Sequence, residues 1–132
     1  MKALFPFAKR FIAGIDINDS SIVFQKHLDQ KYKVIANLVG ENIESAEKIN
    51  TICKTYSELF SRFSDSDFSI SLKLSSIGLD QEYKTTMQNL TKLVESAWLN
   101  KQIIRLDMED SKYTDRTIEA VSYTHLTLPT KA

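Results

Sequence analysis

Apolar residues follow two patterns along the chain, one typical of buried strands and the other of amphipathic helices. Three short apolar runs suit buried strands, and they read KVIANLV at 33–39, FSISLKL at 68–74 and QIIRLDM at 102–108. Between them, apolar residues recur at steps of three and four, as one face of a helix requires. These stripes comprise Ala46, Ile49, Cys53, Tyr56 and Phe60 in the first stretch and Tyr83, Met87, Leu90, Val94 and Trp98 in the second. Alternating strands and helices predict an α/β fold with a parallel sheet.

Polar residues indicate where the helices begin. Ser45 is the expected N-cap of the first amphipathic stretch, and Asp80 is the candidate cap of the second. A third helix is predicted to open in TDRTIEAV, with Thr114 as its cap. An earlier helix, DSSIVFQKHLDQ with Ser20 as its cap, belongs to a helical lead that we place at residues 1–32.

Composition narrows the class of protein further. The 132 residues suffice for one domain, and 17 basic and 17 acidic residues leave no net charge to favour nucleic acid. Cys53 is the only cysteine, which excludes an intrachain disulfide and fits a reducing compartment. Lys9 and Arg10 interrupt the apolar start of the chain, and Pro6 lies within it. We therefore expect no signal peptide or membrane span, whereas peripheral contact with a membrane stays open.

Residues that could form a site lie at the ends of the three apolar runs or directly after them. Gly40 and Glu41 follow the first run, Lys73 lies at the end of the second, and Asp107, Glu109 and Asp110 lie at and after the end of the third. The carboxyl ends of parallel strands meet at one edge of a sheet, where the sites of α/β proteins form. One cation and several carboxylates are thus expected at the same edge.

Each of these side chains also has a structural interpretation. Lys73 could lie on the solvent face of an edge strand, and Asp107 could cap the turn after its strand. For Glu109 and Asp110 a structural cap is the favoured interpretation. Arg105 should share the face of Asp107 and could neutralise it. The sequence contains no Gly-rich phosphate loop, no paired-histidine metal motif and no nucleophile elbow.

Taken together, these segments resemble the FAD-dependent proline dehydrogenase family. The matching pieces, in the family's order and spacing over roughly residues 10–120, are RFIAG, NLVGE, SISLKLSSIGLD and IIRLDMEDSKYTDRTIE. Asn37 departs from the pattern, because the family more often carries an acid there. The resemblance implies that residues 33–121 are the first three β/α units of a (β/α)8 TIM-type barrel, preceded by the helical lead.

The resemblance also implies an activity and roles for three residues. L-proline would be oxidised to pyrroline-5-carboxylate by hydride transfer to FAD, and the electrons would pass to a quinone-type acceptor. Lys73 would hold the proline carboxylate, Asp107 would be the active-site carboxylate, and Met108 would contact the flavin through its backbone. No metal is implied. The expected location is the cytoplasm, with membrane association, or a mitochondrion in a eukaryote, left open.

The chain is short for such a barrel. A (β/α)8 barrel typically needs about 250 residues, so we expect a truncated barrel that is inactive alone. The final stretch VSYTHLTLPTKA leaves the helical pattern, and residues 122–132 are expected to be a non-native tail without packed structure. The alternative is a small, complete α/β binding module whose acidic strand end binds a divalent cation or a partner protein.

Overall fold

The structure is a computed structural model that describes residues 11–40 and 42–127. It divides into two units, with the boundary between Val34 and Ile35. The first unit contains helix α1, Ile17–Asp29. Its N-cap is Asp16, whose Oδ1 accepts the backbone N–H groups of Asn18 and Asp19 at 2.8 and 2.9 Å. The prediction that Ser20 is the cap is wrong, because the helix begins one turn earlier and Ser20 lies inside it.

Strands and helices alternate along the chain from Val34 onward, and all of these elements except Val34 itself belong to the second unit. The elements are strand β1 (Val34–Ala36), helix α2 (Ala46–Arg62), strand β2 (Phe68–Leu72), helix α3 (Tyr83–Leu99), strand β3 (Ile103–Leu106) and helix α4 (Thr114–Thr127). The strands form one sheet in the order β1–β2–β3, and β2 and β3 run parallel with Ser69 opposite Ile103 and Leu72 opposite Leu106. The predicted α/β class is therefore confirmed, although each strand is shorter than its apolar run.

The strands are shorter because the chain turns immediately after them. Beyond β2 it forms a 3-10 helix at Leu74–Ile77, which Gly78 ends in a left-handed conformation with φ of 112°. A Cβ at Gly78 would lie 3.3 Å from Ile49 Cδ1, so the close approach of α2 also favours glycine. Beyond β3 a second 3-10 helix, Ser111–Tyr113, leads into α4.

The predicted helix starts have mixed outcomes. Ser45 caps α2 as expected, since its Oγ accepts the backbone N–H of Lys48 at 3.4 Å. Asp80 does not cap α3, which begins at Tyr83 after Glu82 and has no side-chain cap. Asp80 instead accepts a hydrogen bond from the Tyr113 hydroxyl at 2.6 Å. Thr114 is the first residue of α4 rather than its cap, because the preceding 3-10 turn runs directly into the helix.

The core of the second unit lies between the sheet and the apolar stripes of its helices. The side chains of Ile70 and Leu72 on β2 are at most 1% exposed. The helical residues that are buried with them are Ile49, Tyr56, Leu59 and Phe60 on α2 and Leu90, Leu93 and Ala97 on α3. In contrast, Ile35 and Ile103 on alternating positions are 55% and 57% exposed. Helices α2 and α3 therefore cover one face of the sheet. We call the other face, which exposes Ile35 and Ile103 although Ser69 on it is buried, the open face.

Helix α4 extends into the stretch that we predicted to be a tail without packed structure. It runs to Thr127, although the sequence leaves the helical pattern at about Ser122, and the absence of packing from Ser122 onward stays a prediction. No Gly or Pro interrupts this stretch, and the Thr124 hydroxyl donates to Val121 O at 2.9 Å. Its Leu126 side chain is 83% exposed. Residues 128–132 lie outside the described part, and the non-native origin of the tail stays a prediction.

None of the described helices has both the length and the apolarity that crossing a membrane requires.

Candidate active site at the carboxyl ends of the strands

The two residues predicted to act on substrate follow neighbouring strands directly. Lys73 comes after β2 and Asp107 after β3, and the preceding residues, Leu72 and Leu106, are paired in the sheet. The backbone N–H of Asp107 donates to Leu72 O at 2.9 Å, which extends the pairing by one step. Lys73 and Asp107 are therefore next to each other at the carboxyl edge of the parallel pair.

Both side chains belong to the open face of the sheet. Along β2, Ser69, Ser71 and Lys73 alternate with the buried Ile70 and Leu72, and the backbone at Lys73 is still extended. Along β3, Arg105 and Asp107 occupy the same face, because their side chains contact Ser69 and Ser71 respectively. Lys73 and Asp107 are half-buried, which leaves them within reach of a ligand on this face.

The Asp107 carboxylate is held by a neighbouring hydroxyl. Ser71 Oγ donates to Asp107 Oδ1, and the Ser71 carbonyl oxygen accepts from Asn37 Nδ2 at 3.1 Å. Asn37, the position that departs from the proline dehydrogenase pattern, is thus linked to the strand that precedes Lys73. A hydrogen bond to an ionised acceptor is about twice as strong as one between neutral groups.

Arg105 does not neutralise Asp107, contrary to the sequence-based expectation. Its Nη1 donates to Ser69 Oγ at 2.5 Å, and among the described residues no ion pair joins it to Asp107. The shared face was predicted correctly, but a hydroxyl one step back along β2 is the partner that the guanidinium reaches. The Asp107 carboxylate instead accepts a hydrogen bond from the Ser71 hydroxyl.

Glu109 and Asp110, the other two carboxylates, differ from each other. Glu109 Oε1 accepts the backbone N–H of Ser75 at 3.1 Å, and its Oε2 accepts from the Ser75 hydroxyl. Ser75 is fully buried in the 3-10 helix after Lys73, so Glu109 has the structural role that we favoured. Asp110 precedes the second 3-10 helix, but its exposed side chain forms no cap, so the structural interpretation is wrong for it.

A second polar cluster links the three loops that follow the strands. The Tyr113 hydroxyl lies 2.7 Å from Asn42 Oδ1 and 2.6 Å from Asp80 Oδ1, and the hydrogen bond to Asp80 raises the pKa of Tyr113. Asn42 N donates to Ser75 Oγ at 3.2 Å, which joins this cluster to Glu109. The loops that carry the site are thus fixed to one another by side chains.

Tyr56 extends from α2 to the same edge. Its hydroxyl oxygen accepts the backbone N–H of Leu38, just after β1, at 3.1 Å. Burial raises the pKa of Tyr56, the Leu38 N–H opposes that rise, and the negative charge of Asp107 adds to it. Because these effects leave the pKa raised, the phenol stays protonated beside the site.

Met108 is available for the backbone contact that we predicted. Its side chain is 56% exposed, and its backbone groups form no hydrogen bond within the described residues. Of the residues expected after β1, Gly40 is half-buried, and Glu41 lies outside the described part. The sequence did not predict the hydrogen bonds that five residues form at this edge, namely Ser71, Ser75, Asn42, Tyr56 and Tyr113. Contacts between residues that are distant along the chain leave no local signal in the sequence.

The sequence of the chain is similar to those of known proline dehydrogenases. Over 114 residues the chain is 27% identical to Proline dehydrogenase 2 of Bacillus subtilis strain 168, a match that covers 85% of this chain and 38% of that protein. The resemblance to the proline dehydrogenase family is confirmed. Proline dehydrogenase 2 of Bacillus subtilis subsp. natto gives the same values. The chain thus spans well under half the length of the proline dehydrogenases that it matches. No family model matches it.

A similar fold occurs in the crystal structure of a larger protein. The structure aligns with proline utilization A (PutA) from Bdellovibrio bacteriovorus inactivated by N-propargylglycine, with a TM-score of 0.75 and 18% sequence identity. The alignment covers 92% of this chain and 15% of that one. At this identity the likeness to PutA concerns the fold, whereas the proline dehydrogenase matches concern the sequence.

Proposed function

We propose that the chain is the first part of a flavin-dependent proline dehydrogenase, an oxidoreductase that converts L-proline to pyrroline-5-carboxylate in proline catabolism. The observation that carries the proposal is the adjacency of Lys73 and Asp107 on the open sheet face, in a chain whose match to proline dehydrogenases covers 85% of its length. A cation beside an anion suits a zwitterionic amino acid, because each charge of the substrate meets its opposite.

The two residues divide the recognition of proline between them. The Lys73 ammonium binds the substrate carboxylate, and burial of both groups by the ligand strengthens their attraction. Asp107 orients the site and balances the positive charges that gather there. Its backbone hydrogen bond to Leu72 and its contact with Ser71 fix it relative to Lys73. Tyr56 keeps its proton and holds the Leu38 end of the neighbouring loop.

The described residues fit one edge of a flavin. The backbone N–H and carbonyl of Met108 are without partners in the described part of the chain, and the apolar Met108 side chain is 56% exposed. Such groups suit the polar edge and the flat face of an isoalloxazine ring. FAD, when bound, supplies the acceptor for the hydride that proline loses, and a quinone-type compound then takes the electrons. We propose the cytoplasm or a membrane-associated location, or the mitochondrion in a eukaryote.

The open sheet supports a further element of the proposal, namely that these are the first three β/α units of a (β/α)8 barrel. Within the described residues β3 pairs only with β2, so one of its edges is unpaired. A closed barrel pairs every strand and shields the face that carries Ile35 and Ile103. The 132 residues alone therefore neither retain FAD nor oxidise proline, because most contacts to the cofactor come from elsewhere.

The binding-module alternative predicted that the acidic strand end binds a divalent cation or a partner protein. In residues 11–40 and 42–127 no group of three or more His, Cys, Asp or Glu side chains could hold a metal ion. Asp107, Glu109 and Asp110 point to separate partners or to solvent. No observation favours this alternative, and we do not propose it.

The test is steady-state proline oxidation by the longer protein that contains this segment, measured with a dye as electron acceptor. Lys73→Ala should raise the KM for proline at least tenfold with a smaller change in kcat, since it removes a charge that binds the ground state. Asp107→Ala should lower kcat by about a hundredfold. Asp115→Ala, on the exposed start of α4, is the control. Unchanged kinetics in both site variants would refute the proposal.

A further inference from the structure

Ser71 contacts the residues that follow both neighbouring strands. Its hydroxyl donates to Asp107 Oδ1 beyond β3, and its carbonyl oxygen accepts from Asn37 Nδ2 beyond β1 at 3.1 Å. Ser71 lies on the middle strand, so a single residue links the carboxyl ends of all three strands. Neither contact was predicted from the sequence.

The Ser71 hydroxyl restricts the rotation of the Asp107 side chain, which the backbone alone leaves free. The backbone of Asp107 is already fixed, since its N–H donates to Leu72 O at 2.9 Å. Its side chain has no comparable constraint from the strand, because β3 ends at Leu106 and χ1 can adopt three staggered rotamers. A charge-assisted O–H···O⁻ bond from Ser71 favours the rotamer in which the carboxylate faces β2, on the side of Lys73.

Asn37 completes the arrangement from the other side. An amide donates to a carbonyl oxygen, whereas an ionised Asp at this position could only accept. The amide of Asn37 therefore adds a link between β1 and β2 that an ionised acid cannot form. The Ser71 side chain and the Ser71 carbonyl make separate contacts, so a substitution of the side chain leaves the Asn37 contact possible.

We infer that Ser71 is a positioning residue, whose hydroxyl holds the Asp107 carboxylate in the orientation that the site uses. The catalytic consequence rests on the proposed function, because it requires Asp107 to be the active-site carboxylate. The orientation itself does not depend on any activity, and it can be measured on this chain without ligand.

The experiment measures the χ1 rotamer of Asp107 by NMR in the 132-residue chain. Three-bond couplings from Asp107 Cγ to its backbone nitrogen and carbonyl carbon have distinct values for each rotamer. The variants are Ser71→Ala, which removes the hydroxyl, Ser71→Thr, which keeps it, and Ser66→Ala as the control. Ser66 lies five residues before Ser71 and donates its hydroxyl to Phe63 O at 2.6 Å, so Ser66→Ala also removes a serine hydrogen bond but leaves Asp107 untouched.

We expect single-rotamer couplings in the unsubstituted chain, in Ser71→Thr and in Ser66→Ala, and averaged couplings in Ser71→Ala. Averaging in the unsubstituted chain, or single-rotamer couplings in Ser71→Ala, would overturn the inference. Averaging in Ser66→Ala would also overturn it, because the loss would then report general loosening. If the couplings behave as expected but Asp107→Ala leaves proline oxidation intact in the longer protein, the positioning stands and the proposed function fails.

Discussion

The two ends of the β2–β3 pair are built differently. At the amino end, the Phe63 and Phe68 rings stack with centroids 4.8 Å apart, and the buried Gln102 donates from Nε2 to Phe63 O at 2.6 Å. At the carboxyl end, Lys73 and Asp107 are only half-buried, and hydroxyl groups hold the carboxylates. The amino end buries an aromatic pair and an amide, although Ile103 is exposed there, whereas the carboxyl end carries charged groups on the open face of the sheet.

This difference separates stability from chemistry along the same two strands. Apolar contact and a satisfied backbone carbonyl stabilise the fold at one end, and charges that would be costly in a core are kept at the other. In parallel α/β folds the carboxyl ends carry the sites and the opposite face carries stability. Substitutions at each end test this difference.

The largest stability effect should come from the amino end. Phe63→Ala removes a ring that is 4% exposed and stacks on Phe68, so it should lower the free energy of unfolding by about 3–5 kcal/mol. Urea denaturation followed by circular dichroism measures the loss. Phe11→Ala, at a side chain that is 86% exposed, is the control and should change little. A loss below about 1 kcal/mol at Phe63 would remove the contrast between the ends.

One carboxylate at the carboxyl end is expected to behave structurally. Glu109→Ala leaves the buried N–H and hydroxyl of Ser75 without their acceptor, which should cost about 1–3 kcal/mol. The matched control is the neighbouring Asp110→Ala, because that side chain is exposed and forms no cap. The same urea titration measures both variants. Equal effects at the two positions would contradict the role assigned to Glu109.

The raised pKa of Tyr56 predicts a smaller effect, at alkaline pH. Its folded pKa lies above its unfolded value, so the stability that it contributes is complete below about pH 10 and is lost as the pH rises toward the folded pKa. The free energy of unfolding should therefore decline above about pH 10. In Tyr56→Phe this decline should be shallower, although the variant also loses the acceptor for Leu38 N–H. An identical decline in both proteins would count against the burial of the phenol.

Much of the fold could be predicted because it follows from local patterns. The three apolar runs contain the three strands, and the Ser45 cap is correct. The stripe of α2 is buried at Ile49, Tyr56 and Phe60, whereas in the stripe of α3 only Leu90 is buried and Trp98 is 45% exposed. One error arose where a local rule met a competing contact, because Asp80 accepts from Tyr113 instead of capping α3. Helix α4 runs on to Thr127 for a different reason, since no Gly or Pro interrupts it.

The site was predictable only in outline. Lys73 and Asp107 stood out because charges interrupt apolar runs, and the parallel sheet brings their strand ends together. The groups that hold them did not stand out. Ser71 and Ser75 are small residues within strand and turn sequence, and their partners lie 36 and 34 positions away along the chain. Such contacts become visible only when the register of the two strands is known.

The central claim is that the carboxyl end serves catalysis and the amino end stability, and Asp107→Asn tests it most directly. In the longer protein loaded with FAD, the free energy of unfolding of the variant should lie within about 1 kcal/mol of the parent's, because the amide oxygen can still accept from Ser71. The same sample should reduce its flavin with proline at least about a hundredfold more slowly, since the charge is lost. Flavin reduction at the parent rate, with stability intact, would contradict the account.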